Sequence, residues 1–273
     1  PVTGPRLLVA ATARREILQQ ALARGAQQLA EKYQLSGLHL NFLPEAEAQL
    51  LEGQGFSLRH GQQFHWLNRG YGTFDDFLED LASRKRKAIR KERRKVAEAG
   101  LELRCLTGDA LEEPHWDDFF RFYIDTYDRK WGSPYMNRQT FRRLHETMSE
   151  KIVLILAYQN GRAVAGALNL KGKDTLYGRN WGCLGNYKFL HFEACYYQAI
   201  EFAIEKKLKF VEAGAQGEHK LARGYMPVTT HSAHYIPNES FRNAVADYLE
   251  HEREDVSRFS EVLSEHSPFK KEN

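Results

Sequence analysis

Cysteine is scarce in this chain: Cys105, Cys183 and Cys195 are the whole supply in 273 residues. Their number is odd and no two sit at metal-type spacing. That argues against a disulfide framework or a zinc knuckle, and it points to a reducing, cytoplasmic setting. Long apolar runs are missing as well. No stretch approaches the roughly 18 residues needed to span a bilayer, and no charged-then-apolar leader opens the chain. Methionine is equally rare, at Met136, Met148 and Met226, so the chain opens on Pro1. The expectation is a chain that begins midway through its first domain. Net charge is small too, at +3, while 42% hydrophobic and 12% aromatic residues are ordinary for a folded protein.

What the small charge hides is a concentrated basic element. Residues 84–95 carry nine basic side chains and one acid, so the rest of the chain is mildly acidic. Nine cations in just over three turns repel one another at i,i+4 unless an anion or an acidic surface compensates. Arg84, Arg86, Arg90 and Arg94 offer forked donors suited to phosphate oxygens. The plain alternative is a solvated face. The candidate anions are an RNA backbone, a nucleotide pyrophosphate and an acidic membrane surface touched peripherally.

Periodicity predicts a short strand at 6–10, a helix to about 33, a strand at 38–43 and a helix at 45–51. Two strands near 56–59 and 63–67 are separated by His60-Gly61, which reads as a hairpin turn. Thr73 and Asp76 form a capping pair that opens one long helix carrying the basic run to Gly100. Beyond it the order is β-α-α-β-β-β-α-β-α-β. It includes an aromatic helix from Pro114 (Trp116, Phe119, Phe120, Tyr123, Tyr127, Trp131), three strands within 152–181, a helix at 190–206 and a tail helix from about Ser240. This is the topology of the GCN5-related N-acyltransferase (GNAT) fold, and the first unit matches the latter half of the same order. The expected fold class is therefore α/β (α+β): tandem GNAT-like domains, the first incomplete, with mixed, mostly antiparallel sheets flanked by helices. The expected divisions are 1–72, a basic linking helix at 73–100, 101–239 and a helical tail at 240–273.

The basic helix Ser83–Gly100 and the stretch Glu212-Ala-Gly-Ala-Gln-Gly-Glu-His-Lys-Leu-Ala-Arg-Gly-Tyr225 resemble the Fem-type transferases. His65-Trp66, Arg129-Lys130-Trp131-Gly132, Tyr177-Gly178-Arg179, Trp181-Gly182 and His191-Phe192-Glu193 are similar to the bacterial FemAB-like N-acyltransferases, over nearly the whole chain. The resemblance implies transfer of an acyl or aminoacyl group from a phosphate-bearing donor to an amine. Aminoacyl-tRNA is the favoured donor, and a peptidoglycan or other envelope precursor the acceptor. It also places Lys220 near the reacting carbonyl, where an ammonium stabilises an oxyanion.

Chemistry adds further candidates. Glu212 ends a strand, and Glu218 and His219 follow a glycine-rich turn; a base for proton transfer is sought among these three. His191 begins a helix whose dipole disfavours its charged form, whereas Glu193 beside it reads as a cap. Arg179, inside a strand, needs a partner, and Arg223 accompanies Lys220. Tyr177 and Tyr225 are candidates for stacking on a base or sugar. No metal-ligand spacing is present. Acyl-CoA users carry a glycine-patterned pyrophosphate loop before the long helix. Here that segment, Trp181-Gly-Cys-Leu-Gly-Asn-Tyr-Lys-Phe-Leu190, lacks the pattern, so no cofactor is expected and acyl-CoA is the weaker donor. Two alternatives remain: a CoA-dependent N-acetyltransferase, and a non-catalytic phosphate- or tRNA-binding module.

Overall fold

The computed structural model describes residues 2–129, 132–214 and 217–270, with the side chain of Glu218 outside that set. Trp131, expected in the aromatic stripe, lies outside the described residues. The chain divides into two compact units, residues 1–63 with 227–266 and residues 64–226 with 267–273. These divisions fall elsewhere than expected. The tail helix joins the first unit because Glu252 pairs with Arg59 at 2.7 Å and Arg253 donates to the Leu58 carbonyl at 2.9 Å.

The first unit contains α1 (Arg15–Lys32), β1 (Leu38–Leu43), α2 (Glu45–Glu52), the opening of β2 (Ser57–Leu67), most of β8 (Met226–Tyr235) and α9 (Glu239–Glu265). β1 and β8 pair antiparallel, with Leu38 opposite Tyr235 and His39 opposite His234. The expected strand at 6–10 does not form. The amides of Arg6 and Leu7 instead donate to the buried carboxylate of Glu47, at 2.8 and 3.3 Å, which leaves that backbone no ladder to join. β2 is one continuous strand rather than a hairpin: Gly61 passes through without turning, and a Cβ there would come within 3.0 Å of Thr230.

The second unit carries α3 (Phe74–Asp80), α4 (Ser83–Glu98), β3 (Leu101–Leu106), α5 (Glu113–Arg129), α6 (Arg138–Met148), β4 (Ile152–Gln159), β5 (Arg162–Lys171) and β6 (Thr175–Cys183). It continues through α7 (Leu190–Phe192), a π-helical turn (Glu193–Tyr197), α8 (Gln198–Glu205), β7 (Phe210–Glu212) and a 3-10 turn (Glu218–Arg223). The mixed α/β class with mostly antiparallel strands is the one expected. The single long helix is not. Leu81 takes an extended conformation and bridges Phe269, so α3 stops before the basic helix α4 begins. The capping box of Thr73 and Asp76 forms as expected.

The strand order in this unit is β2-β7-β6-β5-β4-β3, using the last residues of β2. β4 is buried on both faces, as its unbroken apolar run requires. Ile152, Leu154, Leu156 and Tyr158 meet the aromatic face of α5 and α6, while Ala157 packs with Val96 and Leu190, and Ile155 with Ala194, on the other side. Asn160 and Gly161 both take positive φ, 51° and 74°, giving the tight primed turn between β4 and β5.

Gly166 of β5 and Gly182 of β6 are direct cross-strand partners. A Cβ on Gly182 would lie 2.3 Å from the carbonyl oxygen of Phe122, and one on Gly166 would lie 2.9 Å from Phe119 and Leu156. The glycine pair is the flat ground on which α5 rests. Gly182→Ala is expected to cost about 2–3 kcal/mol in urea unfolding, because its obstacle is backbone that cannot rotate away. An unchanged midpoint would show that α5 is free to lift.

Candidate active site

The site is built where β6 and β7 run parallel. Thr175, Leu176 and Tyr177 pair with Phe210, Val211 and Glu212, after which β7 ends and β6 continues to Cys183 paired with β5. Crevices beyond the carboxyl ends of parallel strands are where α/β sheets hold ligands. Just past this point β6 carries a bulge: Asn169 faces Gly178 while Leu168 faces Asn180, leaving Arg179 as the extra residue. Such bulges re-aim side chains. Arg179, Asn180 and Trp181 accordingly line one cavity of about 580 Å³ with Thr126, Tyr127, Arg129 and His191. The guanidinium of Arg179 finds its partner in the Tyr135 hydroxyl.

Beside the strand ends lies Lys220. It is 2% exposed, and its Nζ donates to the carbonyls of Ala213 (2.7 Å) and Gly214 (2.8 Å). Burial pushes its pKa down to about 8. Glu212 sits opposite His65 in the β2–β7 ladder, with its carboxylate 4.0 Å from His65 Nδ1. Burial, with help from the Lys220 charge, lowers the His65 pKa to about 4. At neutral pH this contact is therefore not an ion pair, despite its distance.

His219 Nε2 and the Tyr196 hydroxyl share a hydrogen bond at 2.9 Å. Burial and the neighbouring Arg223 and Lys220 cations lower the His219 pKa, so the ring is neutral near pH 7. The His191 ring lies 6.2 Å from that of His219 and 5.4 Å from Trp181, which links the cavity to the Lys220 turn. Gly217, at φ 110°, leaves room for the His219 ring, which a Cβ would meet at 2.4 Å.

Lys220, Glu212, His219 and His191 thus gather in one region, with Arg179 at the cavity. Tyr177 packs its ring over Gly172, half-buried. Tyr225 is wholly buried, edge-on to Tyr196, so it offers no face for stacking, and among the described residues its hydroxyl has no hydrogen-bond partner. Arg223 is buried against Glu92, at 2.8 and 3.0 Å. The carboxylate of Glu193 is no cap. It receives the guanidinium of Arg93 at 3.0–3.2 Å and the amide of Gln198 at 2.9 Å.

The basic helix α4 divides by face. Arg86 pairs with Glu79 (2.5 Å), Arg90 with Asp75 (3.2 Å) and Glu79 (3.6 Å), and Arg94 with Glu98 (3.6 Å). Arg84, Lys87 and Lys91 are exposed and have no acidic partner among the described residues. Their i, i+3, i+7 spacing puts them on one side of the helix, spanning about 10 Å at 1.5 Å per residue. Sequence reasoning missed Glu92, Arg93 and Tyr196. The one signal for Glu92 was its standing as the lone acid in the basic run.

Among the described residues no helix is long and apolar enough to cross a membrane. The model of the FemAB-like family, described as peptidoglycan biosynthesis/recognition, matches residues 1–271. No curated protein matches the sequence. Among solved structures, FemX superposes with a TM-score of 0.60 at 11% identity, covering 90% of this chain and 82% of its own. L-PGS from Bacillus licheniformis gives 0.59 at 10%, covering 86% and 78%. A tandem GNAT protein from the clavulanic acid biosynthesis pathway gives 0.50 at 15%, covering 87% and 76%. The fold shared with these structures is the tandem acyltransferase-like one that the element order predicts.

Proposed function

The chain belongs to the FemAB-like family, and from that premise we propose that it is an N-acyltransferase. It moves an acyl or aminoacyl group from a phosphate-bearing donor, aminoacyl-tRNA being favoured, to an amine on a peptidoglycan or other cell-envelope precursor. The observation that carries the reading is Lys220, a cation buried at the parting of β6 and β7 beside Glu212 and His219. Two of its N–H groups are taken by carbonyls; among the described residues the third has no acceptor, which supports a role toward a developing oxyanion.

In the proposed reaction the acceptor nitrogen bonds to the acyl carbon and the carbon–oxygen bond to the donor breaks. The proton shed by the nitrogen passes through neutral His219 to the departing oxygen. The cavity lined by Arg179, Trp181 and His191 takes the reacting groups. Arg84, Lys87 and Lys91, without an acidic partner among the described residues, meet donor phosphates, and their positions favour a polyanion over a single pyrophosphate.

The test supplies the full chain with labelled aminoacyl-tRNAs and, separately, labelled acetyl-CoA. Each is paired with an amine panel that includes a nucleotide-linked muramyl peptide. Amide-linked label from aminoacyl-tRNA is the expected result. Label from acetyl-CoA alone would replace the donor. No transfer from either, with RNA still bound, would leave only a binding module.

A further inference from the structure

The turn that carries Lys220 has little stiffness of its own. It lies between Gly217 and Gly224, whose φ values of 110° and 88° belong to the region glycine occupies freely. What fastens it is Arg223. The guanidinium donates twice to Glu92 on α4, at 2.8 and 3.0 Å, and once back to the His219 carbonyl at 2.7 Å. Its central carbon lies over Phe192, 3.5 Å from the ring centroid. Glu92 also accepts from the Tyr197 hydroxyl. The two charged side chains are only 9% and 14% exposed.

These contacts turn both terminal nitrogens of Arg223 inward, and among the described residues its buried Nε has no partner. A substrate contact is therefore not its role. They also explain the lone acid of the basic run, since Glu92 points inward and pairs with no cation of its own helix.

We propose that Glu92 and Arg223 are the positioning residues of this site, clamping the Lys220 turn onto α4 so that Nζ stays seated on the carbonyls of Ala213 and Gly214. Arg93 grips the π-helical turn through Glu193 at 3.0 Å and α8 through Glu201 at 2.8 Å. The basic helix thus has a structural inner face as well as a charged outer one. The assignment rests on the reading of Lys220 as the group that meets the reacting carbonyl.

The test follows the side-chain titration of Lys220 by NMR in the full chain with labelled lysine, the resonance assigned by its absence in Lys220→Arg. The titratable groups around Nζ are Cys195, His65 and His219. Glu92→Gln/Arg223→Met removes both charges of the clamp, so the local field changes little and a shift reports position. Replacing both partners of a buried pair by neutral groups is also the change a fold tolerates best. Lys220 is expected to titrate near 8 in the parent and at least one unit higher in the double variant, as Nζ gains water. Arg223→Lys, which keeps the charge but not the fork, should give a smaller rise. Glu201→Gln, which loosens Arg93 on the same helix, should give none.

An unmoved Lys220 in the folded double variant would overturn the proposal, and so would an equal rise in Glu201→Gln. No substrate enters this measurement. Its failure is therefore separable from failure of the transferase reading, which is judged by transfer itself.

Discussion

Replacing Lys220 by methionine, which keeps most of the side-chain volume, should lower transfer at least 100-fold while the chain remains folded. The size follows from the loss of one preorganised donor to a tetrahedral oxyanion, which costs about 10²–10³ in rate. Stability should also fall, by about 1–3 kcal/mol, because the carbonyls of Ala213 and Gly214 lose a buried partner. A rate loss far beyond the loss of folded protein separates the two effects. The donor role also fixes a pH dependence. With a pKa near 8, Lys220 is protonated below that value and neutral above it, so the rate should fall as pH rises past about 8. Lys220→Arg, permanently charged, should lack that limb. Full activity in Lys220→Met would remove the lysine from the mechanism.

The second large effect concerns acid. In the folded chain His65 binds its proton only near pH 4, against 6.5 when unfolded, because burial and the Lys220 charge oppose it. Between those values the unfolded chain holds more protons, so stability must fall as pH drops through the window. A shift of this size is worth on the order of 3 kcal/mol across it. His60, His219 and His234, also lowered, act in the same direction. Urea unfolding at pH 7 and pH 4.5 measures the slope, and His65→Gln should flatten it. An identical pH dependence in that variant would assign the acid sensitivity to the other histidines.

Local signals carried much of the fold. The apolar run of β4, the Asn160-Gly161 turn and the aromatic stripe of α5 each announce themselves within a dozen residues. Failures came where a distant partner decided the outcome. The backbone at Arg6 and Leu7 is claimed by Glu47, forty residues away, and Leu81 is drawn out of a helix by Phe269. Helical periodicity continues through residue 81, so no pattern within the sequence marks that break.

The site divides in the same way. Lys220 was singled out by the Fem-type resemblance together with the glycines on both sides, and it lies buried on the carbonyls of Ala213 and Gly214. Glu92 and Arg93 were not, since their partners lie 131, 105, 100 and 108 residues along the chain. Arg179 and Asn180 sit on opposite faces under strict alternation, and only the bulge brings both to one cavity. The arginines chosen for phosphate contact included three held by acids of the same unit. A count of charges could not distinguish those from Lys87 and Lys91.

The division of the chain also sets an order of events during synthesis. β1 of the first unit needs β8, which leaves the ribosome long after it, whereas residues 64–226 of the second unit emerge as one continuous stretch and its segment 267–273 follows only after α9. Domains tend to fold as their chain becomes available. Both units therefore wait for late segments, and until β8 emerges β1 has no strand to pair with. Nascent chains halted near residue 226 would present that unpaired strand to a chaperone.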